Sequence, residues 1–177
     1  GERDIKATRK SEGGLFESGG YEGDFISVRN KCNWTKGRYT YRLKRGKTET
    51  INGKKHTWVD AFVYSHKEKK TVQIGSLRFA GAKLVLGRRL AGFIEIYGPR
   101  IPLTSIPKIT VTFEAWRING KVTAPQSALA YYPRNVPQYV DSKVEGKQVI
   151  GTIGKNVDRN QAKGTSKQGG RWVQRLY

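Results

Sequence analysis

No stretch of this sequence carries apolar residues at helical spacing over a useful length, whereas period-two alternation and turn dipeptides recur along it. Residues 39–45 put Tyr39, Tyr41 and Leu43 on one side of an extended chain and Thr40, Arg42 and Lys44 on the other, which predicts a half-buried strand with a basic outer face. Residues 57–65 are apolar on both sides, as an interior strand is. In 71–79, Val72 and Ile74 run in phase and Gly75-Ser76 then breaks the register before Leu77 and Phe79, which predicts a bulge. Residues 83–86 and 93–97 read as two further short strands. The clearest hairpin signal lies in 108–124. There Ile109, Val111, Phe113 and Ala115 alternate with Thr110, Thr112, Glu114 and Trp116, and Asn119-Gly120 supplies a type I′ turn. Asn52-Gly53 predicts the same kind of turn ahead of the Trp58 strand. Residues 148–153 read as a strand, 154–171 are rich in Gly, Lys and Gln, and the last seven residues regain alternation, Trp172, Gln174 and Leu176 against Val173, Arg175 and Tyr177. Short strands separated by turns predict an all-β, antiparallel sandwich or barrel.

Composition enters where it removes classes. The 177 residues include 34 Lys+Arg and 14 Asp+Glu, a net charge of +20. Hydrophobic residues make up only 36%, but four Trp, nine Tyr and six Phe supply enough large side chains to argue against wholesale disorder. No apolar run approaches the ~18 residues of a membrane span. One Cys cannot close an internal disulfide, and with two His it cannot build a usual zinc site. The chain has no Met, so the expectation is a product trimmed from a longer precursor, by removal of a signal or pro-segment among other routes.

The charge is unevenly placed. Residues 1–24 form an acidic, Gly-containing N-terminal segment of net charge −2, and 25–177, expected to be one basic β-domain that includes the C-terminal strand, carry +22. A folded body this basic attracts extended polyanions: nucleic acid, sulfated or uronic-acid polysaccharide, or an anionic lipid surface. The polar 1–20 and the Gly-rich 164–170 are expected to be ordered only when docked, on the C-terminal strand, a partner chain or a preceding segment.

The residue types for catalysis are thinly supplied. Asn30-Lys31-Cys32-Asn33 matches no nucleophile signature, and Cys32 reads as an inert, buried thiol. Asp60 and Glu95 each interrupt an apolar strand, the minimum for a carboxylate pair, but each also reads as an outward residue or the neutraliser of an Arg. A lyase would need Arg against a uronate carboxylate and Tyr or His to move a proton. The types are present, yet Val72-Gln73-Ile74 runs into Gly75 where a His would be wanted. Glu17, Glu22 and Asp24 around the glycines of 17–24 are the candidate ligands for Ca²⁺, without the Asp spacing of an EF-hand loop; no other cofactor is expected. Asn33-Trp34-Thr35 fits a glycosylation acceptor.

Aromatic residues interleaved with Arg are the strongest pattern. Flat rings stack on sugars or bases, and guanidinium forks match carboxylate, sulfate and phosphate. The candidate ligand-binding residues are Tyr41, Arg42, Arg78, Arg88, Arg89, Tyr97, Arg100, Tyr131, Tyr132 and Arg134, whereas Trp58, Phe62 and Phe113 read as core. No helix-turn-helix, zinc-finger or RNA-recognition signature is present, so any nucleic-acid contact would be to the backbone.

Over 19–120 the order of landmarks resembles an uncharacterised, mostly secreted bacterial family that carries only a domain-of-unknown-function label. The landmarks are Gly19-Gly20-Tyr21-Glu22-Gly23, Trp34-Thr35-Lys36-Gly37-Arg38-Tyr39, the aromatic strand from Trp58 to Tyr64, Ile74-Gly75-Ser76-Leu77-Arg78-Phe79, Phe93-Ile94-Glu95 and Trp116 to Gly120. The resemblance implies a concanavalin-like β-sandwich and a secreted, polysaccharide-associated setting, and no mechanism. This chain has fewer residues ahead of the Gly-rich approach than the family and is far more basic. Together these features favour an extracellular, non-catalytic module that binds acidic polysaccharide. The alternatives are a structural or assembly protein coating nucleic acid or another polyanion, and a polysaccharide lyase.

Overall fold

A computed structural model of the chain describes residues 4–19, 25–85, 87, 91–95, 99, 101–123, 127–134, 137–154 and 156–176. Among these residues there are β-strands and short 3-10 turns and no α-helix. The chain packs into two compact units, Gly1–Arg88 and Arg89–Tyr177.

The first unit contains β1 (Thr8–Lys10), β2 (Leu15–Ser18), β3 (Ile26–Arg29), β4 (Tyr39–Ile51), β5 (Lys54–Ser65) and β6 (Lys70–Ala80). Four of them form an antiparallel sheet in the order β1-β6-β5-β4, and β2 pairs with β3. The doubly apolar β5 is the interior strand, as its pattern requires. Asn52 and Gly53, with φ of 49° and 75°, turn β4 into β5 as a two-residue loop that matches the strand twist. The bulge lies where the apolar phase breaks. The β5–β6 register steps from Ala61↔Gly75 to Phe62↔Gln73, which leaves Ile74 as the extra residue. The carbonyls freed there are taken up by neighbours: Ser11 Oγ lies 2.7 Å from the Gln73 oxygen and 3.1 Å from that of Ile74, and Asn30 Nδ2 donates to Gln73 at 3.0 Å.

The second unit contains β7 (Ile109–Phe113), β8 (Trp116–Ile118), β9 (Lys121–Thr123), β10 (Ala128–Tyr131), β11 (Val140–Glu145), β12 (Gln148–Ile153), β13 (Thr165–Gln168) and β14 (Arg171–Leu176). They form antiparallel sheets in the orders β11-β12-β7 and β10-β14-β13, together with the β8–β9 pair. None of the sheets formed by the described residues closes into a barrel.

Three expectations are corrected. The 108–124 hairpin is shorter than its alternation implies. Asn119 and Gly120 do turn the chain, at φ of 50° and 81°, but only β8 and β9 pair across them. β7 instead pairs with the distant β12. Alternation states which face a residue takes and is silent on its partner strand. Second, Lys83 to Val85 and Phe93 to Glu95 are not strands; Val85 is 91% and Phe93 83% exposed, so these apolar residues lack the sheet contacts that would make them one. Leu86, Ile96 and Tyr97 of those segments lie outside the described residues. Third, Tyr41 and Leu43 are 72% and 61% exposed rather than half-buried, because β4 is an edge strand and this half of it is left open.

Apolar burial is sparse. The buried apolar side chains among the described residues are Ala7, Trp58 and Val63 in the first unit and Tyr132, Ile153, Val173 and Leu176 in the second. Gly75 therefore matters more than its size suggests. Its φ is 149°, and a Cβ there would lie 2.6 Å from the Arg9 carbonyl oxygen and 3.0 Å from Val28 Cβ, where β1 and β3 meet β6. We expect Gly75→Ala to destabilise the first unit by about 1–3 kcal/mol. A urea midpoint unchanged from the parent would show that β1 and β3 are not held this closely.

Candidate polyanion-binding surface

The centre of the first unit is Trp58, 2% exposed on β5. On its face of the sheet the pairing brings Arg78 of β6 opposite it and Glu49 of β4 opposite the neighbouring His56. Glu49 Oε1 accepts from the indole Nε1 at 3.0 Å and from Arg78 Nη1 at 3.2 Å, and its other oxygen lies 3.8 Å from Arg9 Nη2. The Arg9 guanidinium carbon stands 3.8 Å from the centre of the indole ring, and that of Arg78 stands 5.5 Å away. Two cations thus cap the ring, and one carboxylate holds both. Arg78, expected to meet a ligand, has a side chain only 11% exposed and serves this cluster.

The other face of β4 carries an open aromatic surface. Trp34, 53% exposed, stacks on Tyr41 at 6.2 Å between ring centres and 25° between planes, and meets Tyr39 edge-on at 4.9 Å. The loop bearing Trp34 is fastened from both sides: Tyr39 Oη accepts from Thr35 N and donates to Thr35 O, each at 3.0 Å. Lys31, Lys36 and Arg38 are exposed on the same segment. Desolvation, followed by the nearby Cys32 and Tyr39, raises the Tyr41 hydroxyl pKa above its ordinary 10.0. Cys32 is half-buried. Alternation sends Arg42, also exposed, to the opposite face from Tyr41.

The remaining candidates separate. Tyr131 is 65% exposed, and its neighbour Tyr132 is buried at 4%. The Tyr132 hydroxyl donates to Gln174 Oε1 at 2.5 Å, and the Arg159 guanidinium carbon lies 3.8 Å from its ring centre. Tyr132 is therefore a core residue of the second unit. Arg134 is exposed, with Nη2 3.4 Å from the Gly169 carbonyl. Arg88, Arg89, Tyr97 and Arg100 lie outside the described residues, as do Glu22 and Asp24. Glu17 forms an ion pair with Arg29 at 2.5 Å, and no group of three or more metal-ligating side chains occurs among the described residues. Asp60 accepts from Ser76 Oγ at 2.6 Å, and Glu95 is an exposed residue of the other unit.

Comparison with known proteins yields no relative: no family model, no curated protein and no solved structure matches the chain. No described helix is long and apolar enough to cross a membrane. The residues missed from sequence are Trp34, Arg9 and Glu49. Trp34 carried a signal, since it opens the Trp-x-x-Gly step that leads to Tyr39. Arg9 and Glu49 sit in sequence as ordinary surface charges.

The indole hydrogen bond, then the Arg78 bond and the charges of Arg9 and Arg78, hold the Glu49 carboxyl below its ordinary 4.5, against an opposing desolvation. A pKa lowered by folding contributes stability that is present above the unfolded value and lost as pH falls through the folded one. Urea midpoints should therefore drop on acidification below about pH 5. In Glu49→Gln, which keeps the indole acceptor but not the charge, that part of the drop should vanish. Parallel profiles for the two proteins would rule the cluster out as its source.

Proposed function

We propose that this chain is an extracellular, non-catalytic module that binds acidic polysaccharide, with the Trp34–Tyr41 stack as its contact platform. The observation that carries this reading is that stack. Two large rings lie open to solvent, Trp34 on a loop that also bears the exposed Lys31, Lys36 and Arg38 and Tyr41 on β4, in a protein of net charge +20. Exposed aromatic pairs are costly to leave uncovered and fit the flat faces of sugar rings, while the surrounding cations draw in and retain carboxylate or sulfate. On this reading the small sheets are parts of a concanavalin-like, jelly-roll sandwich, in keeping with the family resemblance over 19–120, and the protein acts after secretion. Trp34 and Tyr41 replace Arg78 and Tyr132 as the central contacts, and Lys31, Lys36 and Arg38, exposed on the segment that carries Trp34, supply the flanking cations. Arg42 lies on the opposite face of β4, and Tyr131 and Arg134 are exposed in the second unit.

A platform of rings also suits the bases of single-stranded nucleic acid, which keeps the polyanion-coating reading as the competitor. Retention on alginate and heparin at ~0.15 M salt, set against single-stranded RNA and duplex DNA, separates the two. The expected result is stronger retention on the polysaccharides, weakened about tenfold by Trp34→Ala or Tyr41→Ala, the equivalent of ~1.4 kcal/mol. Retention on RNA or DNA equal to that on the polysaccharides would overturn the assignment. Displacement by an equal concentration of an uncharged glucan would overturn its electrostatic half.

A further inference from the structure

The second unit holds a cleft whose chemistry contrasts with the rest of this cationic protein. Its volume is about 420 Å³, within the range of small-ligand sites, and its walls include Gln138, Asn156, Asp158, Arg159, Asn160 and Trp172. Three primary amides, one carboxylate and one indole thus converge on one depression, and the single cation among them is already engaged. The Arg159 side chain is 3% exposed, with Nη1 3.2 Å from Gln174 Oε1, Nη2 3.6 Å from Asp141 Oδ1 and its plane over Tyr132. It forms a floor and is not offered to an incoming anion.

The walls are held in place before any ligand arrives. Val157 N donates to the Gln138 carbonyl at 2.8 Å and ties the two sides together. Asp158 Oδ1 accepts from Asn160 N at 3.0 Å, and its carbonyl accepts from Gln161 N at 3.3 Å and Ala162 N at 3.1 Å, which sets the turn bearing the two asparagines. Asn156 and Asn160 are exposed, so their amides are in reach of a ligand, and Trp172 is half-buried with the Lys167 ammonium 6.0 Å from its ring centre. The backbone that carries these side chains is therefore held by hydrogen bonds on both sides of the cleft.

We propose that this cleft binds one or two units of a neutral sugar, independently of the Trp34–Tyr41 platform. An amide offers a donor and an acceptor side by side, the complement of two adjacent sugar hydroxyls, each of which both donates and accepts. An indole face suits the C–H face of a pyranose. The Asp158 carboxylate accepts from hydroxyls and repels carboxylate, sulfate and phosphate, while Arg159 is committed to Asp141 and Gln174 and the Lys167 ammonium stands against the Trp172 ring. The class selected is the uncharged sugar, where the platform selects the charged one.

The test titrates the full chain with cellotriose, mannotriose and xylotriose at ~0.5 M salt, where electrostatic attraction is screened. Amide side-chain NMR signals and tryptophan fluorescence are followed in the Trp34→Ala/Tyr41→Ala background. Saturable shifts are expected with at least one of the three, weakened tenfold or more in Asn156→Ala/Asn160→Ala. Those two exposed positions should leave the near-ultraviolet circular dichroism unchanged. Trp172→Phe, which keeps a flat ring, should retain part of the affinity. No saturable shift with any of the three, or equal affinity in the asparagine double variant, overturns the site. Binding in the platform-less background with alginate retention abolished would confirm the cleft while leaving the platform to be judged on its own measurement.

Discussion

The structure depends on a guanidinium laid across an aromatic ring and steadied by a carboxylate, and each unit contains one. Arg9 caps Trp58 with Glu49 beside it, and Arg159 caps Tyr132 with Asp141 beside it. A chain with 36% hydrophobic residues cannot line its interior with aliphatic layers alone. Arginine is suited to replace them: its plane is weakly hydrated and stacks on a ring, and its edge keeps its hydrogen bonds. The polar ends of both rings are satisfied in the same networks, Trp58 by Glu49 and Tyr132 by Gln174. Removing the carboxylate from either trio would leave a cation poorly compensated against a buried ring, so these sites are sensitive in a way their sequence context hides.

That arrangement governs where the acids go. Glu49 and Asp141 serve the two centres, Asp60 holds Ser76, Glu17 holds Arg29, Glu145 meets Lys143, and Asp158 and Asp4 accept from backbone N–H groups. The chain has 14 Asp+Glu against 34 Lys+Arg. The positive field follows from the small number of acids, since a paired carboxylate still cancels one charge. It also explains why a cleft with a carboxylate on its wall and its cation committed stands out chemically.

Local pattern conveyed the turns, the interior strand and the bulge, because each depends on residues adjacent in sequence. Asn52-Gly53 and Asn119-Gly120 require positive φ, and Gly75 marks the register break beside Ile74. What failed depends on distance through space. β7 has the alternation of a hairpin arm, yet its ladder is completed by β12 some forty residues away in register (Thr110↔Thr152). Tyr131 and Tyr132 are alike in composition, and contacts with the distant Gln174 and Arg159 bury the second while the first stays in solvent. Arg78 was legible as part of a site and misread as to which one, since a guanidinium that stacks internally has the same sequence signature as one awaiting a ligand.

The edge strand β4 joins fold and binding through a single constraint. An open edge invites pairing with a second copy, and charged side chains along it are the usual defence. Here Arg42, Lys44, Arg45 and Lys47 supply that defence, and the bulge between Arg45 and Thr48 further breaks the template. Residues that repel another copy of the chain would also attract a polyanion, so on the proposed function the protection of the edge would serve ligand capture as well. This relieves an apparent conflict at Tyr41 and Leu43. Exposed apolar groups on an ordinary edge would promote aggregation, but between clustered cations the approach of a second, equally basic copy is repelled. The same repulsion lets the Trp34 and Tyr41 rings stay open with less tendency to pair copies of the chain.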